Sequence, residues 1–427
     1  MNRVTEARLY LSSLTIYRKI LEDNVIASFL DLLRAAEGCD LQAFAGAYGE
    51  FYSRLSDCSD DLDLSSHLEG LVRYDDNAFS RTAAARLPTE GTGLMAAARR
   101  DLSSLHKAIS IKPEEIKAEV KANFSGTVGA SEFIDGLPGF SPVKGLFAQG
   151  IEAALESAVA FYRENGCGPF ARYGAFKWYD GGGAARLSGI TNPDPVRLCD
   201  LKGYEYERGV VVRNTLDFLE GSGANNLLLY GDRGTGKSST VKAAAREYRG
   251  NGLRIIEVSK DYIKDFPLIV NAIRNVPLKF ILFIDDLSFS SDDAGFSALK
   301  SVLEGGISSR PENCLIYATS NRRHLVKESF SERDGDDVHA GDTMQEKLSL
   351  ADRFGITVTF SAPDQKLYIQ IISALAHEKG FTIPDAELER GAIQWALRSG
   401  GRSPRAARQY IEWAQSRLKK GLPVTDF

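Results

Sequence analysis

The residues best placed to do chemistry lie between Gly231 and Ser238, where glycine, lysine and serine fall in the spacing G-x-x-x-x-G-K-S. That spacing is a phosphate-binding loop, because its glycines let successive backbone N–H groups face a polyphosphate without side-chain obstruction. Lys237 reaches the β- and γ-phosphates as a point charge, and Ser238 sets its hydroxyl on Mg²⁺. Gly231, Asp232, Arg233, Gly234, Thr235, Gly236 and Ser239 complete the cradle. About fifty residues on, Asp285 and Asp286 follow an apolar run. A carboxylate at a strand end beside such a loop holds the metal that bridges the phosphates, so Asp285 is the metal partner and Asp286 orients the attacking water. A plain turn after a strand, which also favours aspartate, is the competing reading. Asn321, at the end of the next apolar run, either touches the γ-phosphate or the water, or caps the following helix. Arg353 forms either a surface ion pair or a finger. Arg405 and Arg408 fall in the first turns of a helix opened by Pro404, where cations are unfavourable unless an anion binds nearby.

These residues need a parallel sheet to hold them. Leu227–Tyr230, Leu253–Val258, Phe280–Ile284, Cys314–Thr319 and Ile356–Phe360 are short apolar runs, the mark of strands buried on both faces. Helical patterns separate them, as in βαβ units. An alanine-rich helix, Ser239–Tyr248, follows the loop and points its positive end at the phosphates. Tyr262 and Ile263 begin a helix that packs on the sheet, rather than an aromatic pore loop. Residues 328–342 are polar and acidic enough for a surface loop, with His339 solvated in it, and a short helix carries Asp352 and Arg353.

The chain has 427 residues, 43% apolar and 26% charged, enough for two or three globular domains. A net charge of -5 gives no support to a general nucleic-acid binder. Five scattered cysteines without C-x-x-C spacing fit a reducing cytoplasm and suggest neither a disulfide framework nor a zinc site. No run reaches the length of a membrane span. The first 178 residues carry helical periodicity: Val25, Phe29, Leu32, Leu33 and Ala36 share one face, as do Ile151, Ala154, Leu155, Ala158 and Phe161. Pro113 with Glu114 and Glu115 opens another helix. His67 and His106 lack partners at metal-ligand spacing, and Tyr48, Phe51 and Tyr52 read as core. Three consecutive glycines and two prolines between Asp180 and Pro195 mark a linker, which places the boundary near residue 185.

With these residues placed, the region from about 195 to 427 resembles the AAA+ superfamily of ATPases. Gly231–Ser238 matches its Walker A loop, Asp285 and Asp286 its Walker B pair, and Asn321 its sensor 1. Arg353 in LADRFG looks like the arginine finger, and Arg405 in GRSPRAARQ looks like the sensor 2 arginine. Gly203 and Tyr204 stand where that superfamily closes over adenine. The strings GYEYER, ANNLLLYGDRGTGKSS, DDLSF, TSNRRHL and EKLSLADRFG are further similar to an uncharacterised bacterial family labelled domain of unknown function eight-fifteen. The departure is Asp286, where many AAA+ members carry glutamate, although bacterial replication initiators also carry an aspartate pair.

The resemblance implies an α/β P-loop NTPase of AAA+ type: a mostly helical N-terminal domain over 1–185, a nucleotide-binding core over 186–362 and a helical lid over 363–427. It implies ATP and Mg²⁺ as ligands, ATP hydrolysis, and a cytoplasmic homo-oligomer, ring or helical and hexameric by expectation. The partner would be an unknown protein client to be remodelled or loaded. Nucleic acid stays possible without support from the charge, and no membrane is involved. A nucleotide-gated binding switch with slow hydrolysis, in the manner of a helicase loader or initiator, is the rival reading. A small-molecule kinase shares the loop but leaves Arg353 and the lid unexplained.

Overall fold

Helix-spaced apolar residues in the first 170 positions and short apolar runs in the rest give two kinds of structure. A computed structural model describes residues 1–85, 91–125, 127–141, 147–179, 187–287, 298–300, 302–303, 311–321 and 353–425. The acidic stretch 328–342, His339, Asp352 and the three glycines 181–183 lie outside the described residues. The chain divides into two compact units, Met1–Arg172 and Tyr173–Phe427.

The first unit is helical throughout its described length, apart from short 3-10 turns and loops. Its helices start where short polar side chains relieve unpaired N–H groups: Asp23 accepts from Val25 and Ile26, Asp40 from Gln42 and Ala43, and Asp63 from Ser65 and Ser66. Pro113 occupies the first turn of Pro113–Asn123, and Glu115 reaches back to the Lys112 N–H at 2.8 Å. Val25, Phe29, Leu32, Leu33 and Ala36 are all buried in Asn24–Ala36. In Ile151–Asn165 the buried face is completed by Tyr162, with Phe161 only partly covered, because helical pitch turns the later residue inward. Tyr48 and Phe51 are core residues, and Phe29, Phe51 and Phe140 meet edge to face or tilted. His67 takes Asp23 as a partner at 2.8 Å, and His106 lies on the Phe147 ring, where burial lowers its proton affinity.

Among the described residues of this unit, one charged side chain, that of Asp101, is fully buried. Asp101 accepts N–H bonds from Thr15, Ile16 and Tyr17 at 2.8, 2.6 and 3.2 Å, with the Arg100 guanidinium on its other oxygen at 3.2 Å. Three aligned backbone donors and a cation replace the water that the carboxylate gives up.

The described strands of the second unit are β1 (Ala175–Trp178), β2 (Leu187–Gly189), β3 (Leu227–Gly231), β4 (Leu253–Val258), β5 (Lys279–Ile284), β6 (Cys314–Ser320) and β7 (Ile356–Phe360). They form one sheet in the order β2-β1-β4-β5-β6-β3-β7. All neighbours are parallel except β1 and β2. Phe280–Ile284 and the whole of β6 are buried, as strands covered on both faces must be. β3 sits between β6 and the edge strand β7, so the chain leaves it in one direction and later crosses to its other side. That reversal opens a crevice beyond its carboxyl end.

The division at Arg172 falls earlier than the boundary near 185, because β1 and β2 join the sheet and belong with the core. A four-residue strand, Ala-Phe-Lys-Trp, is too short to show a period, and the glycines beside it hid the pairing. Tyr262 and Ile263 lie in a 3-10 turn that leads into the helix Phe266–Ile273, with Ile263 buried. Beyond β7 come three helices, Gln365–Glu378, Asp385–Arg398 and Pro404–Lys419, the first and last capped by the side chains of Asp364 and Ser403. Gly391 lets two of them close up, since a Cβ there would stand 2.3 Å from the Tyr410 hydroxyl. Among the described residues no helix is long and apolar enough to cross a membrane.

Removing the Asp101 carboxylate leaves three backbone N–H groups, the buried one of Tyr17 among them, without their acceptor. Asp101→Ala is therefore expected to destabilise the helical unit by about 3 kcal/mol, seen as a lower urea midpoint for that unit. An unchanged midpoint would show that the carboxylate is not needed there.

Candidate functional site

β3 ends in a backbone turn that only glycine can make. Gly231 has φ 134°, and a Cβ on it would lie 2.1 Å from the Phe360 carbonyl oxygen. The next residue fastens the loop to the end of β7: Asp232 N–H donates to Phe360 O at 3.0 Å, and its carboxylate accepts from Ala362 N–H at 2.6 Å. Thr235 Oγ1 donates to Asp232 O at 2.8 Å, and Gly234 and Gly236, both at positive φ, turn the chain into the helix Lys237–Glu247.

Lys237 is 6% exposed. Its Nζ donates to the carbonyls of Gly231 and Asp232 at 2.9 and 2.7 Å and to Asn321 Oδ1 at 3.1 Å. Burial lowers its proton affinity below that of an ordinary lysine, and the negative charges of Asp232, Asp286 and Asp285 act against this.

Facing the loop are the ends of β5 and β6. Ser238 Oγ donates to Asp285 Oδ1 at 2.5 Å, and Thr319 Oγ1 donates to the same oxygen at 2.6 Å. Thr319 Oγ1 in turn accepts the Asp286 N–H at 3.0 Å, and its carbonyl accepts from Leu287 N–H at 2.7 Å. Asn321 Nδ2 donates to Asp286 Oδ1 at 2.6 Å, so this amide links Lys237 to the second aspartate. Asp286 has φ 52°, a left-handed conformation that aspartate tolerates better than most residues and one often found at functional sites.

The third wall comes from the last helix. Arg405 N–H donates to Gly234 O at 3.1 Å, which seats the start of Pro404–Lys419 on the loop. Between them lies a cleft of about 570 Å³ whose lining includes Arg233, Gly234, Gly236, Lys237, Ser238 and Ser239. Asp285, Asp286, Asn321 and Arg405 line it too, so three separately placed sequence signals and the loop meet in one space. A hydroxyl and a carboxylate are the donors that Mg²⁺ uses when phosphate oxygens and water complete its shell. Ser238 and Asp285 already approach to hydrogen-bonding distance, so the donor set fits that ion.

Tyr204 lines a smaller adjoining cavity of about 30 Å³, together with Thr235, Phe360 and Ile371. Its hydroxyl donates to Ser361 O at 2.6 Å, its ring centre lies 5.4 Å from that of Phe360, and burial raises its phenol pKa. Gly203 supports this wall from behind, since a Cβ there would meet Ile371 at 2.9 Å. Gly231 and Asp232 shape the loop from beneath and are absent from the lining of the cleft. So is Arg353, which precedes β7.

Sequence reasoning gave no role to Thr319, Gln409, Glu412 or Leu201, all of which line the cleft. Thr319 carried a faint signal as a polar residue at a strand tip. Gln409 and Glu412 carried none, because the approach of the last helix to the loop is not written in its own periodicity, and Leu201, just after a 3-10 turn, stood outside every motif. Arg408, read only as a first-turn cation, lines both cavities.

A loop of this geometry at the switch point of a parallel sheet, followed by a helical lid, is the P-loop fold of the AAA+ type. The chain belongs to the family described as protein of unknown function (DUF815), whose model matches residues 171–418, more than half of the sequence. Among solved structures it is similar to the Thermotoga maritima RuvB Holliday junction branch migration motor, at 18% identity and a TM-score of 0.38. That match covers 53% of this chain and 66% of RuvB, just under two thirds of its length. Aquifex aeolicus DnaA bound to AMPPCP matches at 19% identity and a TM-score of 0.38, over 54% of this chain and 68% of that one. The FIGL-1 AAA domain in complex with ADP matches at 18% and 0.36, over 54% and 76%. No curated protein matches.

A Cβ on Gly234 would stand 3.0 Å from Ser403 Oγ and 3.2 Å from Arg405 Cβ, at a φ of 76°. Gly234→Val should push the lid helix off the loop, so amide exchange at Arg405–Arg408 is expected to rise at least about tenfold. Equal exchange in the variant would show that the helix start does not depend on this contact.

Proposed function

We propose that this protein binds Mg·ATP in the cleft and hydrolyses ATP to ADP and phosphate in order to remodel or load a partner. The observation that carries this reading is the meeting of Lys237, Ser238, Asp285, Asp286 and Asn321 around one cavity at the end of β3. Loop N–H groups and Lys237 would hold the phosphates, with Lys237 exchanging a loop carbonyl for phosphate oxygen. Ser238 and Asp285 would hold Mg²⁺, whose charge offsets that developing on the γ-phosphoryl. Thr319 keeps the Asp285 carboxylate aimed and fixes the Asp286 backbone by accepting its N–H. Asp286 and Asn321 would orient the water, whose oxygen bonds to the γ-phosphorus as the bond to the β–γ bridging oxygen breaks. Asp286 Oδ2, which has no hydrogen-bond partner among the described residues, would take the proton. Tyr204 and Gly203 would close over adenine, and Arg405 would report the nucleotide to the lid through its own N–H bond to Gly234.

Arg353 does not line its own cleft, and we assign it to a neighbouring subunit's ATP in a cytoplasmic homo-oligomer, taken to be hexameric. A finger of this kind is worth about 10³ to 10⁵ in rate. The helical unit that ends at Arg172 would then recognise a protein client, with the nucleotide-binding core running from there to about 362 and the lid over 363–427. A nucleotide-gated switch with slow turnover is the second reading. The Asp286 carboxylate favours it, being short and already tied to Asn321.

Lys237→Ala is expected to abolish magnesium-dependent ATP affinity in calorimetry, and unaltered affinity would remove the nucleotide reading. Specific ATPase activity should rise with protein concentration, and Arg353→Ala should cut it at least about a hundredfold. Flat activity, or a fully active variant, removes the neighbour finger. Slow wild-type turnover with intact partner binding by Asp286→Ala would decide for the switch.

A further inference from the structure

A second cavity, of about 640 Å³, shares no lining residue with the cleft. Its inner wall is apolar. Ala175 of β1, Ile255 of β4 and Phe283 of β5 line it, and the register pairs Ala175 with Ile255 and Glu257 with Phe283, so these positions project from one face of the sheet. Ala245, on the helix that follows the phosphate loop, covers them from above, and the segment Thr191–Pro195 closes the side.

The rim is basic. Lys242 and Arg246, four residues apart, lie on one side of that helix, and Arg249 lines the cavity just beyond its end. Arg246 donates one guanidinium N–H to the Pro195 carbonyl and makes no salt bridge among the described residues. The Lys242 ammonium lies 5.9 Å from the centre of the Phe283 ring and 4.0 Å from Glu257, the limit of an ion pair. Asp194 also lines the cavity, with its carboxylate accepting the Val196 N–H at 3.1 Å.

We propose that this cavity is a binding site for a small organic acid. An aromatic or branched aliphatic body would lie on Ile255 and Phe283, and its carboxylate would meet the Arg246 fork with Lys242 beside it. The volume is that of a small-molecule site, and an apolar wall with a few convergent polar groups is how such sites fix both body and orientation. A guanidinium with one N–H already tied to the backbone is held in place for a carboxylate on its remaining donors. Because the same helix begins with Lys237 and Ser238, a ligand that favours one position of the helix would change nucleotide affinity, and nucleotide would change ligand affinity by the same factor.

The test uses the full chain with 8-anilinonaphthalene-1-sulfonate, an aromatic anion, as fluorescent probe. Phenylacetate is expected to displace it, whereas phenylacetamide, with the same body and no charge, should need at least about tenfold more. Arg246→Gln should weaken phenylacetate about tenfold or more, and Thr191→Trp, at an exposed position on the closing segment, should block the probe. Acid and amide displacing equally, or both variants behaving as wild type, would overturn the assignment. Mg·ATP affinity measured on the same samples keeps the two sites apart: its loss in Lys237→Ala with phenylacetate displacement intact bears on the cleft alone.

Discussion

Strand register is the constraint on which the site depends. Tyr230 is level with Ser320, and Ile284 with Ala318, so the ends of β3, β5 and β6 arrive together with Asp285 and Asp286 beside Thr319 and Asn321. Side-chain direction in a strand has a period of two, so a slip of one residue would turn Thr319 away from both aspartates. The buried ladders set the register, and the ties between Thr319, Asp285 and Asp286 then hold the tips. Burial of apolar side chains several residues below the cleft therefore decides the geometry of its polar groups.

The loop shows how such a site is kept ready at a cost in local stability. An ammonium held among backbone carbonyls gives up hydration and regains it in part from three directed bonds and nearby carboxylates. Phosphate oxygens are stronger acceptors than carbonyls, so a bound polyphosphate would improve the surroundings of Lys237 rather than disrupt them. The positive φ of Gly231, Gly234, Gly236 and Asp286 likewise concentrates unusual backbone around the place where a ligand is to be held. The lid adds little of its own at the loop, one N–H bond and close packing at Gly234, which suits an element whose position is to depend on what the cleft contains.

Much of this was legible beforehand, for identifiable reasons. The strands β3 to β6 could be read because burial on both faces makes them continuous apolar runs, the edge strand β7 from the alternating Ile356, Val358 and Phe360, and the phosphate loop because its glycines and lysine have no substitute at that spacing. β1 and β2 escaped notice, since four- and three-residue strands at a sheet edge carry too little pattern and stand next to a glycine-rich stretch. Phe161, at helix spacing with the buried face, packs on the core but is only partly covered, while Tyr162, which the spacing did not single out, is buried, because the edge of that face is set by the neighbouring helices. Thr319 was one polar residue among three at a strand tip, and nothing local singled it out.

What the sequence determined alone was the identity of the chemical groups and the class of fold: a lysine, a hydroxyl and an acidic pair whose types and spacing suit phosphate and metal, on elements whose periodicity requires a parallel sheet. Tertiary structure alone decided which of them meet. Asn321 spans Lys237 and Asp286 because β6 lies between β5 and β3, and Arg405 reaches Gly234 because a helix more than 160 residues later packs its start on the loop. Neither contact has a sequence signature, since both follow from strand order and helix packing, which arise from the burial of the whole core and not from any one segment.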